Sequence, residues 1–181
     1  MEYKLSDIFH EYYRITVVDW NIIHEMAYGL YTEVGTNHGA SACAAASSDK
    51  VNSVISCDIY NWQPKIYEKY WPELKKKISF RKGTSEDIVD KRKTIAYIDT
   101  LFIDGSHEYD YVLRDCRALI PHVKREGVVL FHDFNLNNPN TGVYAAVNEY
   151  LDSVGHIGEG RQTIPGSSNI LMISVRKFQN A

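Results

Sequence analysis

The chain has 181 residues, 44% of them apolar and 24% charged. That composition builds one core of ordinary size and excludes wholesale disorder. The charge, 20 Lys and Arg against 23 Asp and Glu for a net of −3, excludes the basic excess of a protein that wraps nucleic acid and the acidic tail of a solvating chain.

Three cysteines, Cys43, Cys57 and Cys116, are widely spaced and form no C-x-x-C pair. They argue against a disulfide framework or a thiolate zinc site, and for a reducing compartment. The opening run MEYKLSDIFHEYY lacks the apolar stretch of a secretory leader. No window approaches the ~20 apolar residues of a membrane span. A soluble, cytoplasmic protein is expected.

Short apolar runs alternate with longer amphipathic segments, the pattern of βαβ units and a parallel sheet. Leu5 to Tyr28 reads as helical. Strand one is expected over Leu30–Val34, then a small-residue helix over Ala40–Ser47 and strand two over Ser53–Asp58. Pro64–Lys77 reads as a helix that Pro72 can split. Strand three follows over Ile78–Arg81, and Thr84 or Ser85 can cap a short helix reaching Lys91. Strand four is expected over Thr100–Asp104, a helix over Tyr109–Ile120 and strand five over Val128–His132. A polar loop, Asn135–Gly142, leads to a helix over Val143–Leu151. Gly155–Thr163 and Asn169–Val175 supply the last two strands, which have no helical crossover and so form an antiparallel hairpin at the edge. The fold expected is α/β, a doubly wound, Rossmann-like, seven-stranded and mostly parallel sheet with an antiparallel last strand and helices on both faces. The organisation is a helical segment, 1–28, followed by one domain, 29–181.

In open α/β sheets ligands bind beyond the carboxyl ends of the strands. The first such cluster is Glu33-Val34-Gly35-Thr36-Asn37-His38-Gly39-Ala40-Ser41. Gly35 suits a tight turn, Gly39 lets a helix start close to a ligand, and Ser41 adds a hydroxyl. The spacing is neither the pyrophosphate-cradling Gly-x-Gly-x-x-Gly nor a P-loop. Glu33 would repel phosphate and attract an ammonium or sulfonium group. An ordinary strand-to-helix turn explains the same glycines. Asp58, ending strand two, can accept both hydroxyls of a ribose or simply cap a helix. Glu33, the glycine loop and Asp58 in successive βα units together point to a nucleoside-bearing cofactor without a pyrophosphate.

Asp104 ends strand four, His107 lies three residues on, and Asp133 ends strand five. Neighbouring strands about 4.8 Å apart bring the two acids to one site. Such a pair needs a proton or a cation between its members, and a divalent metal suits it. Taken singly, Asp104 reads as a strand-end acid bonded to loop amides and His107 as a solvent-facing histidine.

The glycine loop, Asp58, the run Phe102-Ile103-Asp104-Gly105-Ser106-His107-Glu108-Tyr109, Arg114-Asp115 and Gly127-Val128-Val129-Leu130-Phe131-His132-Asp133 resemble class I S-adenosylmethionine-dependent methyltransferases. Within them the chain is similar to the small O-methyltransferase-like group called methyltransferase family 24, from about Leu30 to Leu151. The resemblance implies that Glu33, Gly35, Gly39 and Ser41 surround the methionine part of the cofactor and that Asp58 binds the ribose. It sets Thr84, Ser85 and Glu86 beside the adenine, although Thr84 and Ser85 equally read as helix caps. It implies a divalent cation such as Mg or Mn on Asp104 and Asp133, with His107 as general base. The third ligand position departs from the family pattern, because His132 and Phe134 flank Asp133 where an acid or an amide is expected. His132 is a candidate nitrogen ligand that would favour a transition metal, and a metal-free enzyme with His107 as base stays open.

The expected reaction is methyl transfer to a hydroxyl of a small molecule or sugar. Nucleic acid and membrane are not expected partners, and a homodimer is one way to complete a site that has no cap domain. A nicotinamide oxidoreductase and a non-catalytic cofactor-binding subunit are the rival readings. The Gly-x-x-x-Gly spacing speaks against the first, and the trio Asp104, His107 and Asp133 against the second.

Overall fold

The computed structural model describes residues 15–60, 69–89, 97–155, 161–164 and 169–175. Helix α1 spans Val17–Met26 and leads into β1, Gly29–Val34. Helix α2, Ala40–Ala46, precedes β2, Val51–Asp58. A 3-10 turn at Pro72–Lys76 leads to β3, Ile78–Lys82, and α3 is a single turn, Ser85–Ile88. Strand β4, Ile98–Ile103, is followed by α4, Tyr109–Leu119, a 3-10 turn at Ile120–His122 and β5, Val123–Phe131. Helix α5, Gly142–Ser153, then β6, Arg161–Thr163, and β7, Leu171–Ser174, complete the described chain.

The seven strands form one sheet in the order β3-β2-β1-β4-β5-β7-β6. The first five run parallel, and β7 lies antiparallel to both β5 and β6. The expected architecture is therefore the observed one. The strand order reverses between β1 and β4, the switch point at which doubly wound sheets open a crevice.

Each face of the sheet carries its own apolar layer. One layer packs Leu101, Ile103, Val129 and Phe131 against Val112, Cys116 and Leu119 of α4 and Val143, Ala146 and Val147 of α5. The other packs Tyr31, Val54, Phe102 and Leu130 against the alanine-rich α2 and against Trp20 and Ile23 of α1. Alanines let α2 lie close to the strands. The described part of the N-terminal segment thus shares its core with the domain that follows. All three cysteines are buried and unpaired.

The boundaries differ from expectation in instructive places. Strand β5 starts at Val123, five residues before the expected Val128. Ile98 pairs with Val123 and Thr100 with Val128, with a register shift between them. The polar run Lys124–Glu126 sits in that irregularity, so no apolar alternation marks it. Strand β2 likewise begins two residues early, at Val51. Pro72 opens the 3-10 turn Pro72–Lys76, where the helix expected over Pro64–Lys77 can split; residues 64–68 of that expected helix lie outside the described residues. So do residues 5–14 of the expected N-terminal helix, the end of the helix expected to reach Lys91, and most of Gly155–Arg161.

Candidate active site

Ladder-like bonds continue past the strand ends and bring the loops side by side. Gly83 N–H donates to Asp58 O (2.8 Å), Gly35 N–H to Cys57 O (2.8 Å), Asp104 N–H to Val34 O (2.9 Å) and His132 N–H to Ile103 O (3.1 Å). Gly35 sits at φ 102. A Cβ there would lie 2.0 Å from the carbonyl oxygen of Asp104, so only glycine lets the first loop cross the fourth. Gly39 caps α2 at φ 82, and Asn37 is also left-handed, at φ 44.

Two cavities lie over this edge and share Gly35, Asn37, Asp104 and Gly105. The larger, about 510 Å³, is lined by Asp58, Tyr60, Gly83, Thr84, Ser85 and Arg114 among others. The other, about 440 Å³, is lined by Thr36–His38, Ser41, Ile15, His107, His132 and Asp133. They form two ends of one trough along the carboxyl edge.

At the first end, Asp58 accepts the N–H of Asn37 on Oδ2 (3.1 Å) and that of Tyr60 on Oδ1 (3.0 Å). Each oxygen keeps acceptor capacity toward the cavity. Thr84 forms a capping box with Asp87, and the backbone bond from Thr84 holds the Asp87 carboxyl below its usual range. Ser85 is fully buried and donates to Asp115 Oδ1 (2.6 Å). Burial raises the Asp115 carboxyl, against the pull of Ser85 and Arg114. The Arg114 guanidinium lies 5.0 Å from the centre of the Tyr111 ring.

Glu33 lines neither cavity. It is fully buried beneath the glycine loop. Its carboxylate accepts from Tyr31 Oη (2.9 Å) and Ser56 Oγ (2.7 Å). Burial pushes its carboxyl up to about 7, although hydrogen bonds from Ser56, Ser41 and Tyr31 oppose the rise.

At the other end, His107 Nε2 lies 3.0 Å from Asp133 Oδ2 and 4.0 Å from Asp104 Oδ1. The carboxylates of Asp104 and Asp133 push the His107 imidazole up to about 10. Both histidines hold Asp133 well below the usual carboxylate range. Asp133 adopts φ 55, a conformation unusual for a non-glycine residue and a recurrent feature of functional sites. His132 is buried, with Nδ1 3.0 Å from Asp133 Oδ2 and 3.3 Å from Asp104 Oδ1. Burial opposes a charge on this ring, but Asp104, Asp133 and Asp19 override it and push it up to about 12. Asp104, His107 and Asp133 offer ligand atoms within 4.8 Å of one another.

The trough thus brings together Gly35, Ser41, Asp58, Thr84, Ser85, Asp104, His107, His132 and Asp133, with Gly39 at the N-cap of α2 outside its lining and Glu33 behind it. Sequence reasoning missed Asn37, whose amide holds Asp58, and Ser56 and Tyr31, which hold Glu33. Tyr31 and Glu33 stand two apart on one strand, hence on one face, and that spacing was a usable signal. It also missed Gly142, where a Cβ would meet the carbonyl oxygen of His107 at 2.4 Å; its absence lets α5 abut the His107 loop.

The methyltransferase-domain family model matches residues 32–134, more than half of the chain, from within β1 to just past the Asp133 turn. The chain belongs to this methyltransferase family. Its fold is that of the class I S-adenosylmethionine-dependent members. A relative, an uncharacterized protein of Acanthamoeba polyphaga mimivirus, is 27% identical over 137 residues, which cover 68% of this chain. The match spans 60% of that relative's length. Two solved structures show how far this chain shares its fold. An O-methyltransferase from Bacillus cereus in complex with SAH superposes with a TM-score of 0.68 at 12% identity, covering 94% of this chain and 90% of the other. The O-methyltransferase TomG from Streptomyces achromogenes in complex with SAM gives 0.62 at 14% identity, covering 95% and 89%.

No helix among the described residues is long and apolar enough to cross a membrane.

Proposed function

We propose that the chain transfers a methyl group from S-adenosylmethionine to a hydroxyl of a small-molecule or sugar acceptor. The observation that carries this reading is the single trough with Asp58 at one end and Asp104, His107 and Asp133 at the other. Asp58, preset by two backbone N–H groups, accepts the ribose hydroxyls. The backbone of Thr84 and Ser85 flanks the adenine. The Gly35–Ser41 loop receives the methionine part, with Glu33 behind Ser41 supplying negative charge without direct exposure.

Methyl transfer is an in-line displacement from a sulfonium that is already a good leaving group, so the protein's task is to align and deprotonate the acceptor. His107 lines the second end of the trough and takes the acceptor proton. A proton acceptor must be neutral, and Asp104 and Asp133 hold His107 protonated until they are engaged elsewhere. Two carboxylates with oxygens this close suit a divalent cation. Bound there, it would lower the pKa of an acceptor hydroxyl. In this reading Asp104 and Asp133 hold the cation, which leaves His107 free to take the proton, and His132, whose Nδ1 is turned onto both carboxylates, orients them from behind.

Calorimetry with S-adenosylmethionine and with NAD tests the cofactor. Preferred binding of NAD would support the oxidoreductase reading. A screen of hydroxyl acceptors with labelled cofactor, with and without Mg or Mn, tests the reaction. Cofactor binding without any transfer would favour a non-catalytic subunit. A solution mass measurement tests whether a second copy completes the site.

A further inference from the structure

The N-terminal helix carries an acid that no other part of this reading uses. Asp19 is fully buried. Its Oδ2 accepts from Thr16 N–H (2.8 Å) and Thr16 Oγ1 (2.7 Å), which with the Asp19 N–H to Thr16 Oγ1 bond (3.1 Å) forms a capping box. The acid of such a box sits at the first turn of its helix and needs no burial to cap it. Here the same oxygen lies 3.7 Å from His132 Nε2. That nitrogen is buried and has no hydrogen-bond partner among the described residues, and the Asp19 carboxylate faces it at ion-pair distance.

His132 is therefore held from both sides. Nδ1 meets Asp104 and Asp133, and Nε2 meets Asp19. Asp133 in turn meets His107. The ring also packs edge-on against Phe102, with centroids 6.0 Å apart, which limits tilt but does not choose between the two ring flips. An acid on the Nε2 side does choose, because a flipped ring would turn a carbon toward Asp19 and weaken its grip on both carboxylates.

We propose that Asp19 is a positioning residue of the active site: through His132 it fixes the placement of Asp104 and Asp133, and through them that of His107. This rests on the reading of Asp104, His107 and Asp133 as the reacting end of the trough. It also makes α1 part of the site's frame, since the residue that caps this helix is the residue that orients the ring.

The test separates capping from positioning. Thr16→Ala removes the cap and leaves the carboxylate facing His132, whereas Asp19→Asn removes the charge and keeps an amide able to cap. The readout is the ring nitrogen and carbon-bound proton resonances of His132 and His107, assigned by long-range 15N–1H correlation in the full chain. Thermal melts run alongside. Asp19→Asn is expected to shift both rings' resonances, and Thr16→Ala to lower the melting temperature while leaving both in place. Should Asp19→Asn not fold, Asp19→Glu serves: it retains a capping-box acid and displaces the carboxylate against His132, so the same shifts are expected. Equal shifts in the Thr16 and Asp19 variants would reduce Asp19 to a cap, and a shift of His132 without one at His107 would break the chain of positioning; either overturns the proposal. Failure of the wild-type chain to bind S-adenosylmethionine would instead strike the functional reading and leave the resonance test standing.

Discussion

Glu33 makes a quantitative test of how the site is built. It is a carboxyl with no exposure, and burial raises it from an ordinary 4.5 to about 7. Between those two values the unfolded chain has released a proton that the folded chain retains. Stability therefore falls as pH rises through that window, is free of this penalty below pH 4.5, and carries all of it above about 7. At about 1.4 kcal/mol per tenfold change in proton affinity the whole effect is roughly 3 kcal/mol. Glu33→Gln removes the titration while keeping an oxygen for Ser56 and an amide that Tyr31 can accept from. Denaturant melts of both proteins at steps from pH 4.5 to 8 should show the variant gaining on the wild type as pH rises. The gain should approach roughly 3 kcal/mol, less whatever the rearranged hydrogen bonds lose. Other groups that titrate in this range, His107 and His132 among them, cancel in the difference. A constant difference across the range would mean that Glu33 ionises in the folded chain as it does in water, and the argument from burial would fall.

Asp58→Ala should weaken S-adenosylmethionine binding by roughly 1.5–3 kcal/mol, the range of hydrogen bonds to a charged group; unchanged affinity in calorimetry would remove Asp58 from the site. Gly35→Ala forces a side chain against the Asp104 carbonyl at a left-handed position and should destabilise by at least about 1–2 kcal/mol with loss of cofactor binding; a melt and titration equal to wild type would contradict the crossing described. His107→Ala should leave cofactor affinity intact and slow transfer by about 10²–10⁴-fold, the usual worth of a positioned base. In chelator-treated protein the rate should climb with pH toward about 10, because His107 acts only when deprotonated, and added Mg or Mn should move that rise to lower pH; a profile indifferent to both would argue against this base.

The parts of the fold and site that were legible in the sequence are those whose signal is local. A buried parallel strand reads as a short apolar run, and the residue just beyond it sits at the carboxyl edge whatever the rest of the chain does. Hence Gly35, Asp58, Asp104 and Asp133 could be named from position alone. What was illegible depends on the third dimension. Lys124–Glu126 are polar because they sit in an irregular stretch of β5, so they resemble a loop. Glu33 stands at the strand end like the others, yet the pleat turns its carboxylate into the core toward Tyr31 and Ser56. From sequence, direct exposure to a ligand and burial behind the loop are indistinguishable.

His132 and Asp19 carry this furthest. Along the chain His132 is one residue from Asp133 and reads as a candidate ligand, while Asp19 reads as no more than one polar residue inside the helix expected over Leu5–Tyr28. Parallel strands place consecutive side chains on opposite sides, but Asp133 is left-handed. The turn at Asp133 brings its carboxylate back to Nδ1 of the preceding His132 ring. One positive φ therefore changes His132 from a neighbour that would compete for a cation into a buried group that holds both acids. A buried cation of that kind needs compensation from behind, and α1 is the element packed there. The acid on α1 is thus tied to the same backbone turn that builds the site, although more than a hundred residues of sequence separate them.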